Sequence, residues 1–283
     1  MENTIVTRLG YAQGDNADPL FCDDPAAQAK ATTDFCFDWR TPDQWAGALP
    51  TPGQPQPNLD DFRNLALDQS AVLGRNQTVT LHRAEGGGDN WPADPRGWRG
   101  GSRNGASAYL LSKSGVAAGA VLNPKSEGFR DFYIGMWFFL VSEPTQFERG
   151  LLGRGEGIDI DYGLGVDHTT RQPAEWFTGA RAPARPLGTK IHIGHHLAFD
   201  TTADTATSRF FADGVEIGAA MPHRKPSEWV ENSRPMWLNA IGGFGQVNAV
   251  FARFTRTFTK WPGETALDPL KLHQDEERYV RPA

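Results

Sequence analysis

The sequence is short of cysteine, of basic charge and of long apolar runs, and each shortage closes off a class of function. Only Cys22 and Cys36 occur in 283 residues. A secreted fold stapled by disulfides uses more, so both are read as buried thiols. The formal net charge is −6, and the arginines are scattered. Nucleic acid as the main ligand needs a basic face, and none is expected here. The longest apolar run, Ile134 to Val141, is far too short to cross a bilayer, so no membrane insertion is expected. The opening residues MENTIVTRLGYAQGDN lack a basic n-region followed by an apolar stretch. No secretory signal is read, and synthesis in the cytoplasm is expected. There is no G-x-S-x-G elbow, Walker A loop, H-E-x-x-H pair or paired C-x-x-C. Gly153 to Gly157 is glycine-rich but lies between strand-like segments and opens no helix, which rules out a dinucleotide loop. No fixed period repeats, so a propeller or solenoid is not expected.

What remains is a chain with 31 Gly, 20 Pro, nine Trp and 22% charged residues, the profile of an ordered, loop-rich β protein. Its clearest local signal is Asp213-Gly214, flanked by apolar alternation. A two-residue turn there sets Ala212 opposite Val215, Phe211 opposite Glu216 and Phe210 opposite Ile217. Phe210, Ala212, Val215 and Ile217 then face the core, while Arg209, Phe211 and Glu216 face away.

The chain divides into four segments. Residues 1–85 are thin in apolar residues and are expected to lean on the main domain or on a partner, as an attachment or oligomerisation region. Within it, Thr41-Pro42-Asp43-Gln44 has the form of a helix start, and Asn58 through Leu67 has helical spacing. LPTPGQPQPN between them is an extended connector. Residues 86–104 are a Gly/Pro-rich loop. Residues 105–265 carry strand-like segments separated by turns at sandwich spacing. The tail, 266–283, is polar and expected to be peripheral.

FYIGMWFFL (132–140), LLGRGEG and YGLGVD (151–167), HHLAFD with RFFADGVEIG, and LNAIGGFG follow one another in an order that resembles the concanavalin A-like lectin/glucanase superfamily. The likeness is to its laminin-G-like jelly-roll modules, over roughly residues 105 to 262. Two departures stand out: Gly194 occupies a position where the family carries Trp, and the last strand reads FARFTRTFT without an acidic residue before its apolar pair. The resemblance implies an all-β, antiparallel jelly-roll β-sandwich, with a small, partly helical N-terminal region. It also implies a lectin-like, carbohydrate-binding protein. By analogy with phage spikes and fibres it would be virion-associated, recognising host surface or capsule polysaccharide. Its N-terminal aromatics would meet other virion proteins in a homo-oligomer, most simply a trimer. The alternatives are a polysaccharide hydrolase or lyase on the same fold, or a purely structural virion or adhesion module.

The resemblance also supplies a test for catalysis. Glucanases of the superfamily carry ExDxxE on one strand, and retaining glycosidases hold two carboxyls about 5–5.5 Å apart. Here Glu156, Asp159 and Asp161 lack the second Glu, so the motif is unmet and no enzymatic activity is expected. Asp159 and Asp161, read as sharing one strand face, are candidates for sugar hydroxyls. With Asp167 they could instead take calcium, a hard cation that prefers oxygen ligands; no other cofactor is expected. His192, His195 and His196 do not share a metal. His195 and His196 alternate in face, and His192 lies about 13 Å from His196 at ~3.3 Å per residue, against zinc–nitrogen bonds of about 2 Å. His195 is read as a hydrogen-bonded core residue. Aromatics in loops suit pyranose faces, so Asp89-Asn90-Trp91 and Glu175-Trp176-Phe177 are the preferred glycan candidates.

Overall fold

The computed structural model describes residues 32–45, 47–56, 61–63, 65, 80–83, 91–103, 106–108, 110–112, 128–144, 150–156, 159–229, 236–240, 247–260 and 262–280. In chain order the strands are β1 (Thr32–Asp38), β2 (Asp61–Arg63), β3 (Thr80–Arg83), β4 (Trp98–Arg103), β5 (Ala106–Ala108), β6 (Leu110–Ser112), β7 (Phe129–Leu140) and β8 (Gly150–Glu156). They continue with β9 (Asp159–Val166), β10 (Pro173–Glu175), β11 (Lys190–Asp200), β12 (Thr205–Ala212), β13 (Val215–Pro222), β14 (Met236–Leu238) and β15 (Ala249–Lys260), before helix α1 (Pro269–Val280). One antiparallel sheet runs β13-β12-β11-β7-β15-β4-β5, with β1 beside β4 on the same edge of β15. The other runs β10-β9-β8-β14-β6-β3-β2. The sandwich expected from the sequence is what forms.

One apolar core lies between the sheets. Strand β7 shows why: Phe132, Ile134, Met136, Phe138 and Leu140 alternate onto the inner face and are fully buried. In β15 the apolar residues are spaced irregularly, at Phe251, Phe254 and Phe258. The register slips by one residue at Ala252, so Phe251 pairs with Phe138 while Arg253 pairs with Trp137. This bulge brings Phe254 back to the inner face, and it puts Arg253 on the outer one.

The Asp213-Gly214 turn closes the β12–β13 hairpin in the expected register. Asp213 and Gly214 have φ of 47° and 83°, the left-handed pair of a type I′ turn. Phe210, Ala212 and the partly buried Ile217 face the core, as expected. Val215 does not; it is 60% exposed, on the edge strand β13. Phe211, on the other face, is nonetheless fully buried.

The cover over Phe211 is α1. The tail expected to be peripheral becomes a helix whose inward side chains are polar. His273 lies 6.0 Å ring-to-ring from Phe211 and stacks on His192 at 3.9 Å. Its Nε2 accepts the Gly214 N–H, which puts the ring proton on Nδ1, where it meets the Tyr133 hydroxyl at 2.9 Å. Glu276 takes Arg253 and Thr255, and Arg253 reaches on to Asp38. Tyr133 occupies the space that a side chain at position 194 would fill: a Cβ on Gly194 would sit 2.0 Å from its hydroxyl. Gly194 thus makes room for the ring that receives α1.

The N-terminal segment is part of the sandwich as well. Phe35, Phe37, Trp39 and Trp45 are buried in the common core, so these residues lean on the main domain. The helix start at Thr41 yields a single 3-10 turn, Pro42–Trp45. Within the helix expected over 58–67 there is instead strand β2, because Phe62 docks edge-on against Trp39 and Trp45 at 5.8 and 5.4 Å and β2 pairs with β3. Cys36 is buried in the described structure, as expected of this residue.

Candidate functional site

Strand β10 is the edge of the second sheet, and the turns on either side of it are fastened by buried or capped carboxylates. In the turn from β9, Asp167 Oδ1 accepts the N–H groups of Thr169 and Thr170, both at 2.9 Å. Arg181 closes the other side through Nη2 to Asp167 Oδ2 at 3.0 Å. The Thr170 N–H, helped by that of Thr169 and by Arg181, holds the Asp167 carboxyl below its ordinary range. After β10 the chain reverses through Gly179, whose φ is 66°, and returns so that Ala182 N–H bonds Pro173 O at 2.8 Å. Glu175, 1% exposed, fixes the tip by accepting the N–H groups of Phe177 and Thr178 at 3.0 and 2.6 Å.

These two turns enclose a cleft of about 360 Å³ walled by Val166, Asp167, His168, Ala174, Trp176 and Arg181, among others. Its size suits a small ligand or a short stretch of a polymer. Trp176 is 37% exposed at its margin. Its neighbour Phe177, also exposed, turns the other way and packs edge-on against His223 at 4.8 Å. Burial pushes His223 down to about 4 and His195 down to about 3, so both rings are neutral near pH 7. The 3.9 Å approach of His195 to Glu175 is therefore no ion pair at that pH, and His195 is held by Ser208 Oγ at 2.8 Å.

The structure distributes the other sequence candidates elsewhere. Asp89 and Asn90 lie outside the described residues. Trp91 is 5% exposed and belongs to the core, with Arg99 over its ring at 5.2 Å, so it offers no free face to a ligand. Asp159 opens β9 in register with Glu156, and its side chain is outside the described residues. Asp161 does not share a surface with it. Between Arg154 and Gly155 the ladder skips one residue of β9, and that residue is Asp161. The bulge re-aims its side chain into a fully buried ion pair with Arg154, joined by Arg224 at 2.9 Å. His192 stacks on Trp137 at 4.1 Å and His196 meets Asp131 at 3.4 Å. Among the described residues no three His, Cys, Asp or Glu side chains are placed to hold a metal ion. Arg181 and His168 were missed by the sequence reading: GARAPARP and VDHTT carry no ligand motif, and only the fold brings them beside Trp176.

No family model and no curated protein matches the sequence. Solved structures do resemble its fold. A mutant of Trypanosoma rangeli sialidase displaying trans-sialidase activity aligns over 81% of this chain and 32% of its own, with a TM-score of 0.51 and 10% identity. The CBM40 of Ruminococcus gnavus IT-sialidase aligns over 54% of this chain and 89% of its own, with a TM-score of 0.36 and 14% identity. The binding domain of botulinum neurotoxin DC in complex with rat synaptotagmin II covers 73% and 50%, at 0.45 and 8%. The chain spans about a third of the length of the sialidases it matches. At these identities the likeness establishes the β-sandwich and nothing finer; none of the three is a phage or spike protein. It does correct the expectation that the chain is not an enzyme. The trans-sialidase variant aligned over 81% of it is an enzyme, so a missing ExDxxE does not by itself set this sandwich apart from catalytic proteins.

Proposed function

We propose that the protein binds carbohydrate in the cleft beside β10, with Trp176 as the stacking surface. The observation that carries this reading is an exposed tryptophan at the rim of a largely apolar cleft that also presents Asp167, His168 and Arg181, on a hairpin tied to the sheet by Glu175. An indole face covers the apolar side of a pyranose, while neighbouring donors reach its hydroxyls. The pre-fastened loop keeps the entropic cost of binding low. A glycan array followed by calorimetry tests the reading. Trp176→Ala should weaken binding by about tenfold or more with the melting temperature unchanged. Unaltered affinity in that variant sinks it. Reducing ends followed in the same incubations show whether bound glycan is also cleaved.

The finer setting is a spike or fibre component of a phage or phage-like particle that recognises host polysaccharide and assembles with other virion proteins as a homo-oligomer. It is supported by segment order alone. Sedimentation gives the oligomeric state. Binding to host cells that is lost when their surface polysaccharide is stripped would support this setting, and unchanged binding would remove it.

A further inference from the structure

We infer that this cleft selects glycans bearing an acidic group, a ring carboxylate or a sulfate ester; the inference rests on the carbohydrate-binding reading above. A neutral sugar offers hydroxyls that both give and take hydrogen bonds, and sites for it need acceptors as well as donors. Here the two carboxylates are already engaged. Glu175 is buried, with its two oxygens taken by the Phe177 and Thr178 N–H groups. Asp167 has Oδ1 on Thr169 and Thr170 and Oδ2 on Arg181. The backbone carbonyls of Gly163, Asp167 and Glu175 accept from Trp176, Arg171 and Gly179.

Against these engaged carboxylates Arg181 brings further donors. Arg181 is half exposed and commits one Nη group to Asp167, which leaves the rest of its five-donor fork. Asp167 orients that fork without satisfying it. Trp176 and His168 line the same cleft; a neutral imidazole brings one donor and one acceptor. Engaged carboxylates beside a guanidinium with donors to spare fit a ligand that supplies oxygens without protons, and a planar guanidinium fits a carboxylate or sulfate in two-point contact.

The test uses matched oligosaccharides that differ only in the acidic group. The pairs are an oligogalacturonate and its carboxyl-reduced form, a sialylated trisaccharide and its carboxyl-reduced form, and a sulfated galactan oligomer and its desulfated form. The acidic member should bind about ten- to a hundredfold tighter in at least one pair, and which pair responds tells carboxylate from sulfate. Arg181→Gln should erase the difference, while Trp176→Ala weakens both members alike. Should Arg181→Gln disturb the fold, the native protein still reads the contact, because an ionic contact loses affinity as salt is raised. Equal, salt-independent affinities within every pair overturn the acid selectivity and leave the carbohydrate reading standing. No binding by any member overturns both.

Discussion

Acid should release α1 before the sandwich melts. His273 is the hinge of that expectation: its neutral ring accepts the Gly214 N–H at Nε2 and meets Tyr133 through Nδ1. Protonation would set a second donor against the Gly214 N–H, beneath a ring already stacked on His192. Burial is the main cause that lowers His273 to about 4 from an ordinary 6.5, against the pull of Glu277 and Asp213, and burial likewise holds His192 well below its usual range. A histidine depressed in the folded state stabilises above its unfolded value, and that stability is lost as pH falls from 6.5 towards 4. For His273 alone the full loss is about 3 kcal/mol, of which about 2 kcal/mol is gone by pH 5. Lys190, Arg253 and Glu276 also face this layer; Lys190 and Arg253 add to the resistance of His192 to protonation. Hydrogen exchange of Pro269–Val280, corrected for intrinsic rates at pH 7 and pH 5, reads the release directly. His273→Gln keeps an acceptor for Gly214 but cannot titrate. It should lose most of the pH dependence, and the same loss of protection in native protein and variant would refute the reasoning.

Other consequences can be measured by denaturation. Gly194→Ala forces a Cβ onto Tyr133 and should cost about 1–3 kcal/mol, with part recovered by adding Tyr133→Phe. Asp161→Asn breaks the buried arrangement with Arg154 and Arg224 and should cost about 3–5 kcal/mol; a change under 1 kcal/mol would show that the carboxylate is not buried as described. Glu175→Ala frees two N–H groups under the cleft tip and should weaken glycan binding without touching Trp176 itself.

The parts of the fold that were legible in sequence are those where one physical period dominates. The Asp213-Gly214 turn and the alternation of β11 declared themselves because side chains of a strand change face at every residue and the turn type demands positive φ. Asp161 was misplaced because a bulge is invisible to a period of two. Strand β1 was hidden because TTDFCFD is short and pairs with a partner far along the chain. Helix α1 escaped because its buried face is His273 and Glu276, where a periodicity search looks for leucine. Of the site, Trp176 was legible as an aromatic in a turn-rich stretch. Arg181 was not, since a lone arginine among prolines has no local signature and acquires meaning only when the hairpin folds back onto Asp167.

The pairing of β1 with β15 bears on the order in which the protein can be made. Thr33 and Thr257 share a hydrogen bond across 224 residues of sequence. On the ribosome, Phe35, Phe37 and Trp39 emerge early and have no strand to join until β15 follows. Until then Phe35 and Phe37 lack Phe254, the ring each stacks on, which makes the waiting strand a client for a holdase and a seed for aggregation if translation stalls. Release of the last sheet partner, rather than growth of the core, sets the moment at which the nascent chain becomes safe.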